Sequence, residues 1–543
     1  MSRGGTSRPA PQDDYDVVVV GAGMGGLYTA HRVLTIGLTV RVLEAGAGVG
    51  GTWYWNRYPG ARCDVASVDY SFSFSEELQN EWSWKERYAG QPELEAYFNH
   101  VADRFGIREH IDFETRVESA RYDADRHRWF LRAGDRTYGA QFVVMATGPL
   151  SVAYGPTFEG TDDFAGQIYH SADWPEGVDL TGKRVGVVGT GSTGIQMIPL
   201  LAEVAEHLTV FQRTANYSVP ARNRPMSEQE MAEVRATYAK RRDQARRSRA
   251  GFPPRTPPIS ENSAMAVTEQ QRREVYELMW EQGGGLAFRA SFSDLLTNRK
   301  SNDTASEFIR EKIRQVVKDP ATAETLVPHD HPYATKRPPV DTNYYETFNR
   351  PDVTLVDLRE TPIERLTSAG VQTSDRTYEL DVLVLATGFD AVTGSLSRIE
   401  VEGRDGVVLK DKWKDGPRGY LGMAIAGLPN FFTVNGPGSP AAFTNMATHT
   451  EQNVEWITDF IGYLVEHRIR AAEPRPEAED AWTRRMREAG EKTLYPEANS
   501  WYVGANIPGK PRVFMFYVDG FDVYSEECDR VARSGYSEFT IFS

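Results

Sequence analysis

An α/β fold with two Rossmann-like dinucleotide-binding domains and a helical insertion is predicted by three observations. Apolar runs twice meet a G-x-G-x-x-G spacing, at Gly21, Gly23 and Gly26 and again at Gly189, Gly191 and Gly194. Each is followed by a helical stretch and a second strand. Two further apolar strands, residues 142–148 and 382–388, both end in Ala-Thr-Gly, as expected where a chain leaves one nucleotide-binding domain for another. Between the second glycine unit and the second Ala-Thr-Gly, residues 224–327 carry helix-start signals instead of strands.

In the first unit, the buried apolar run Val17 to Val20 leads into the glycines, which permit a tight turn and close approach of backbone to a pyrophosphate. The second strand ends in Glu44, 18 positions after Gly26. That is near the ~20 expected for a carboxylate that accepts hydrogen bonds from a ribose. In the second unit, which carries Thr190 between its first two glycines, the corresponding position is Arg213. An acid there would repel a 2'-phosphate, whereas a guanidinium pairs with it, so this site reads as NADP and the first as the ADP half of FAD. The expected division is 1–150 and 390–543 for the FAD domain, 151–223 and 328–389 for the NADP domain, and 224–327 for the insertion.

Size and charge agree with this division. A chain of 543 residues is too long for one hydrophobic core. The net charge of −15 disfavours nucleic acid and anionic membrane surfaces as partners, and no run approaches the ~18 apolar residues of a membrane span. Cys63 and Cys528 stand too far apart in sequence for a redox pair or a metal cluster, which points to a reducing cytoplasm. The first thirteen residues lack the apolar centre of a signal peptide and read as a loose arm. A monomer is expected.

In the insertion, helices are predicted to begin at the capping boxes Ser227-x-x-Glu230, Thr268-x-x-Gln271 and Thr304-x-x-Glu307. Ile309, Ile313, Val316 and Val317 share one apolar face, with Arg and Lys opposite read as solvated.

The stretch FAGQIYHSADWP, Phe164 to Pro175, looks like neither strand nor helix, yet spaces Phe164, Gly166, His170 and Trp174 as F-x-G-x-x-x-H-x-x-x-W-P. From average residue usage, those four would coincide on the order of once in a million start positions. With this motif between two glycine units, and with GGTWYWNRYPGARCD ending in Asp64, the chain resembles the type I Baeyer–Villiger monooxygenases. The nearest likeness is to phenylacetone and steroid monooxygenases.

The resemblance implies an enzyme that uses NADPH, FAD and O2 to convert ketones to esters or lactones through a flavin C4a-peroxide. Both the peroxide and the adduct it forms are anionic, and a fixed cation in a water-poor site stabilises such charge. The segment YATKRPPVD then assigns that cation to Arg337, with Asp64 as the carboxylate that orients it and Lys336 beside Arg213 on the 2'-phosphate. Gly51, Trp53 and Tyr54 belong to the flavin-side signature, the two aromatics packing on the flavin. Trp501 matches a tryptophan that closes over NADP. Phe164, Gly166, His170 and Trp174 take positioning and gating roles. The stretch GPGSPAAFTNM places Ala441, Ala442, Phe443 and Thr444 on the ketone pocket, with room for bulky cyclic, aromatic or steroidal ketones and with sulfoxidation as a side activity. The alternatives are an N-hydroxylating or sulfur-oxidising flavin monooxygenase, a disulfide-reductase-like flavoenzyme and a flavin-binding redox sensor.

Overall fold

The computed structural model describes residues 13–254 and 260–543. The N-terminal arm, except Asp13, lies outside the described residues. Strand β1 (Asp13–Val20) stands between β2 (Val40–Leu43) and β6 (Arg136–Met145), parallel to both. Val17 and Val19 enter one core and Val18 and Val20 another, which explains an unbroken apolar run where a half-exposed strand would alternate. β3 (Ile111–Asp112) extends the sheet beyond β2, and β4 (Ser119–Asp123) and β5 (Arg128–Ala133) form an antiparallel meander with β6. Two late segments return to this sheet. Glu400–Glu402 pairs with β4 and Phe431–Thr433 with the end of β6.

The second sheet is parallel throughout. It contains β7 (Gln167–His170), β8 (Arg184–Val188), β9 (His207–Gln212) and the strands Val353–Asp357 and Val382–Leu385, with β8 between β9 and Val382–Leu385. β7 lies inside the stretch expected to be neither strand nor helix. It is an edge strand paired only with Val382–Leu385, so it needs no alternating apolar pattern.

The chain crosses between the sheets at the two Ala-Thr-Gly segments, and the crossings run side by side. Tyr154 N–H donates to Gly388 O at 2.9 Å, Asp390 N–H to Val152 O at 2.8 Å and Val392 N–H to Pro149 O at 2.7 Å. The two connections thus form one hydrogen-bonded ribbon.

The described residues between 224 and 327 form helices joined by loops, and they serve both domains. Glu228–Arg235 and Tyr238–Arg246 bury Met231 and Tyr238 in the first domain's core, whereas Tyr276, Trp280, Phe308, Ile309 and Ile313 join the second. The Ser227 and Thr268 capping boxes are formed. Thr304 lies inside the helix Arg299–Val316, which Asn298 caps six residues earlier by accepting from the N–H groups of Lys300 and Ser301. A box pattern alone does not mark a start when a stronger cap precedes it. The basic residues are not all solvated: Arg246 donates twice to Glu455 at 2.7 Å, and Arg241 reaches Asp69 at 2.8 Å.

Gly166 illustrates how tightly β7 is seated. A Cβ there would stand 2.4 Å from Asp381 O and 2.5 Å from the Phe164 ring. Gly166→Ala is therefore expected to destabilise the fold by roughly 1–3 kcal/mol, read as a lowered thermal unfolding midpoint; an unchanged midpoint would refute the close packing.

Candidate active site

A cleft of 1160 Å³ opens along the C-terminal end of β1 and is lined by Gly21, Gly23, Glu44, Gly51, Trp53 and Asn435. Its walls fit a dinucleotide. A Cβ on Gly26 would stand 1.8 Å from Gly21 O, and Gly51, at φ 54°, would meet Gly23 Cα at 2.8 Å, so the backbone itself shapes the cradle. Glu44 is buried, with Oε2 accepting from Ala22 N–H at 2.6 Å and Oε1 from Gly46 N–H at 2.7 Å. Burial raises its pKa while those two donors pull it back, and each oxygen keeps a lone pair for a ribose hydroxyl. The Trp53 indole donates to Tyr70 OH at 3.2 Å, and both rings line the cleft. Tyr54 does not. Its ring packs over Gly46 and Gly48, and its hydroxyl accepts from Ala47 N–H at 3.0 Å.

The second glycine unit repeats the construction. Gly189, at φ 113°, would place a Cβ 2.4 Å from Ala386 O, and Gly194 would place one 2.2 Å from Gly189 O. Gly191 faces open space, where a phosphate can approach. Thr190 is buried and donates to Thr214 O at 3.0 Å. Arg213 is exposed just beyond β9, and the half-buried Lys336 lies close enough to feel its charge. Burial lowers the Lys336 pKa, Asp330 at 3.7 Å raises it and Arg213 lowers it further. Two cations that repel one another make a site for a group carrying two negative charges.

Arg337 lies on the segment that leads into the short strand Val340–Asp341, which pairs with Val219–Pro220. Its Nε and Nη2 each donate to an oxygen of Asp64 at 2.8 Å, and Nη1 donates to Ala442 O at 2.9 Å. Asn216 Nδ2 holds the Arg337 carbonyl at 3.1 Å. Burial opposes the guanidinium's charge, but Asp64 outweighs it and the pKa stands above its ordinary value. A permanent cation results.

Arg337 and Asp64 line a second, much smaller cavity of about 20 Å³, together with Ala442, Arg289, Tyr495 and Tyr502. This is room for about one water molecule. Of the predicted pocket residues only Ala442 reaches this cavity. Ala441 is buried in the aromatic cluster alongside Phe443, whose ring lies 4.6 Å from Tyr495 and 4.9 Å from Tyr502. Thr444 packs against Gly251 of the insertion. Trp501 sits at the edge of the same cluster, 4.4 Å from Tyr502 and 5.7 Å from Phe516. Tyr495, Tyr502 and Arg289 were not singled out from sequence. Only Tyr502, next to Trp501, had a signal nearby.

The Phe164–Trp174 motif stands apart from Arg337. Phe164 is buried against Leu366 and Leu383, and Trp174 packs on Tyr169 at 5.6 Å. His170 Nε2 lies 3.2 Å from Tyr154 O and 3.4 Å from Thr387 Oγ1, while Nδ1 accepts from Ala172 N–H at 3.1 Å. Burial lowers its pKa. His170 therefore ties the edge strand to the ribbon where the domains join.

Residues 18–257 match the family described as pyridine nucleotide-disulphide oxidoreductase. A curated "Baeyer-Villiger monooxygenase" of Pseudooceanicola batsensis is 44% identical, aligned over 96% of both chains. "Phenazine N-monooxygenase PhzNO1" of Lysobacter antibioticus is 44% identical, over 97% of both. The solved structure "Oxidized steroid monooxygenase bound to NADP" superposes with a TM-score of 0.93 at 53% identity, covering 97% of this chain and 99% of that one. Cys63 and Cys528 are both free and buried, so neither supplies an accessible dithiol.

With Arg213 facing solvent beside Lys336, Arg213→Glu is expected to raise the KM for NADPH at least about tenfold while leaving that for NADH within about threefold. Equal changes for both nucleotides in steady-state assays would remove Arg213 from the 2'-phosphate site.

Proposed function

We propose, for a chain that belongs to the Baeyer–Villiger monooxygenases, that Arg337 is the fixed cation of its reaction site and Asp64 the carboxylate that aims it. The enzyme uses FAD and NADPH to insert one oxygen atom of O2 beside a ketone carbonyl, giving an ester or lactone. Bound FAD, once reduced, supplies the activated oxygen. The chain's own part is binding, orientation and electrostatics.

Glu44 and the Gly21–Gly26 turn would hold the ADP half of FAD, and Trp53 would flank the ring system. Gly189, Thr190, Gly191 and Gly194 would cradle the NADP pyrophosphate, with Arg213 and Lys336 on the 2'-phosphate. Arg337 cannot surrender its charge, and three of its donors are already engaged by Asp64 and Ala442 O. Its geometry is therefore set before charge develops, and no reorganisation is needed when it does. This prior orientation is the single observation that carries the reading. Trp501 would close over NADP from the Tyr502 side, and Phe164, Gly166, His170 and Trp174 would position the domains and gate their movement.

We read the substrates as bulky cyclic, aromatic or steroidal ketones, with sulfoxidation as a side reaction. The small Ala442 and the aromatic Phe443, Tyr495 and Tyr502 support this, because an apolar wall that yields can follow a large ring. Among the described residues no helix is long and apolar enough to cross a membrane, and the two free cysteines suit a monomer in the cytoplasm. Similarity to the phenazine enzyme favours oxidation at nitrogen as the second reading.

Two experiments test these assignments. Arg337→Ala, loaded with FAD, is expected to lose ester or lactone formation by about a hundredfold or more on a panel of cyclic, aryl and steroidal ketones analysed by gas chromatography–mass spectrometry. Retention of product within tenfold would sink the role of Arg337, and products from N-heterocycles but not ketones would favour the second reading. Ala442→Trp is expected to reduce turnover of steroidal ketones more than of cyclohexanone; equal loss on both would remove Ala442 from the pocket.

A further inference from the structure

Arg289 ends the helix Gly285–Arg289 and brings a second guanidinium to the cavity that holds Arg337. The two differ in how their charges are met. Arg337 has both oxygens of Asp64 and a backbone carbonyl. No carboxylate lies within 4 Å of Arg289 among the described residues, and the one acid lining the cavity is already engaged by Arg337. The side chains around Arg289 are phenols. Tyr495 and Tyr502 line the same cavity, and the charge of Arg289 acts on both and on Tyr333, lowering the pKa of all three against the raising effect of burial.

These phenols stay neutral, since burial keeps each pKa above its ordinary value, so they solvate the guanidinium without cancelling its charge. The wall thus carries two fixed positive charges against one negative. Arg289 thus lacks the counter-charge that Asp64 gives Arg337. A carboxylate on the molecule that enters the cavity would supply it.

We propose that Arg289 selects ketones carrying a carboxylate remote from the reacting carbonyl. The inference rests on reading this cavity as the ketone site, and it divides the site's two cations by task. Arg337, held from behind by Asp64, faces the reacting centre. Arg289, with tyrosines beside it and no carboxylate within 4 Å among the described residues, is free to form a bidentate pair with a substrate carboxylate as the cavity opens. An uncharged ketone of the same skeleton would leave Arg289 unpaired and lose that gain.

The test uses FAD-loaded enzyme with 4-oxocyclohexanecarboxylate and its methyl ester, following each lactone by mass spectrometry. The reported quantity is the acid-to-ester ratio of kcat/KM. In Arg289→Leu this ratio is expected to fall at least about tenfold, the loss of one charge-assisted hydrogen-bonded pair. Arg289→Lys, which restores charge without the fork, is expected to recover most of it. A ratio within twofold of wild type in Arg289→Leu would overturn the proposal, as would a wild type that prefers the ester with no change on substitution. Failure of the underlying reading looks different. In that case wild type would yield no lactone from either compound or from unsubstituted cyclohexanone while still consuming NADPH, and both readings would fall together. FAD content and unfolding midpoint, measured on each variant, separate loss of selectivity from loss of fold.

Discussion

Asp64 and Arg337 stand 273 positions apart, on segments from different nucleotide-binding domains, and meet through two hydrogen bonds of 2.8 Å. Neither residue can be placed without the other. A guanidinium taken out of water needs a partner, and a carboxylate beside it fixes not only its charge but the plane of its fork. The pair therefore constrains how the two domains sit. The neighbouring residues comply: a Cβ on Gly60 would stand 2.5 Å from Gln196 O, and Tyr58 donates to Gln196 Oε1 at 2.7 Å, so the flavin-side signature is moulded against the helix that follows the NADP glycines. A signature that belongs by sequence to one domain also packs against the other.

The same logic explains the ribbon at the domain crossings. A chain that leaves the first sheet after β6 and returns after Val382–Leu385 could do so at distant points. Here the outgoing and returning strands are hydrogen-bonded together, and His170 reaches the ribbon from the edge strand. The insertion adds a third tie, with one pair of helices in the first domain's core and the rest in the second's. Arg246 secures the first of these through Glu455, a residue on the long helix Met446–Glu466 that also follows the Ala441–Thr444 loop. Movement of that loop would thus be felt in the insertion.

The two cavities differ for a physical reason. The flavin cleft is shaped by backbone, because glycines with no Cβ let strand-to-helix turns approach closely, and such walls hold their form without a ligand. The cavity at Arg337 is shaped by aromatic, aliphatic and charged side chains. On the proposed reading, selectivity resides in which of these side chains gives way and in the charge left unpaired once it does.

What the sequence determined by itself were the features written in consecutive residues. The two glycine turns, the acid after one and the base after the other, the buried run Val17 to Val20 and the capping boxes at Ser227 and Thr268 each express a local backbone requirement, and local requirements are met by neighbours along the chain. Arg337, Asp64 and the Phe164–Trp174 motif were legible only through their likeness to a known pattern: Arg337 and Asp64 are 273 positions apart, and the motif's Phe164 packs on Leu366 and Leu383. Tertiary structure alone decided the rest. It made Gln167–His170 an edge strand, because pairing on one side relaxes the demand for alternation. It moved a helix start from Thr304 to Asn298, where a stronger cap competes. It turned Tyr54 away from the flavin cleft and Thr444 toward Gly251. It also set Arg289 in the cavity with Tyr495 and, among the described residues, no acid within 4 Å, since burial and charge balance are properties of a place in space and no stretch of sequence contains that place.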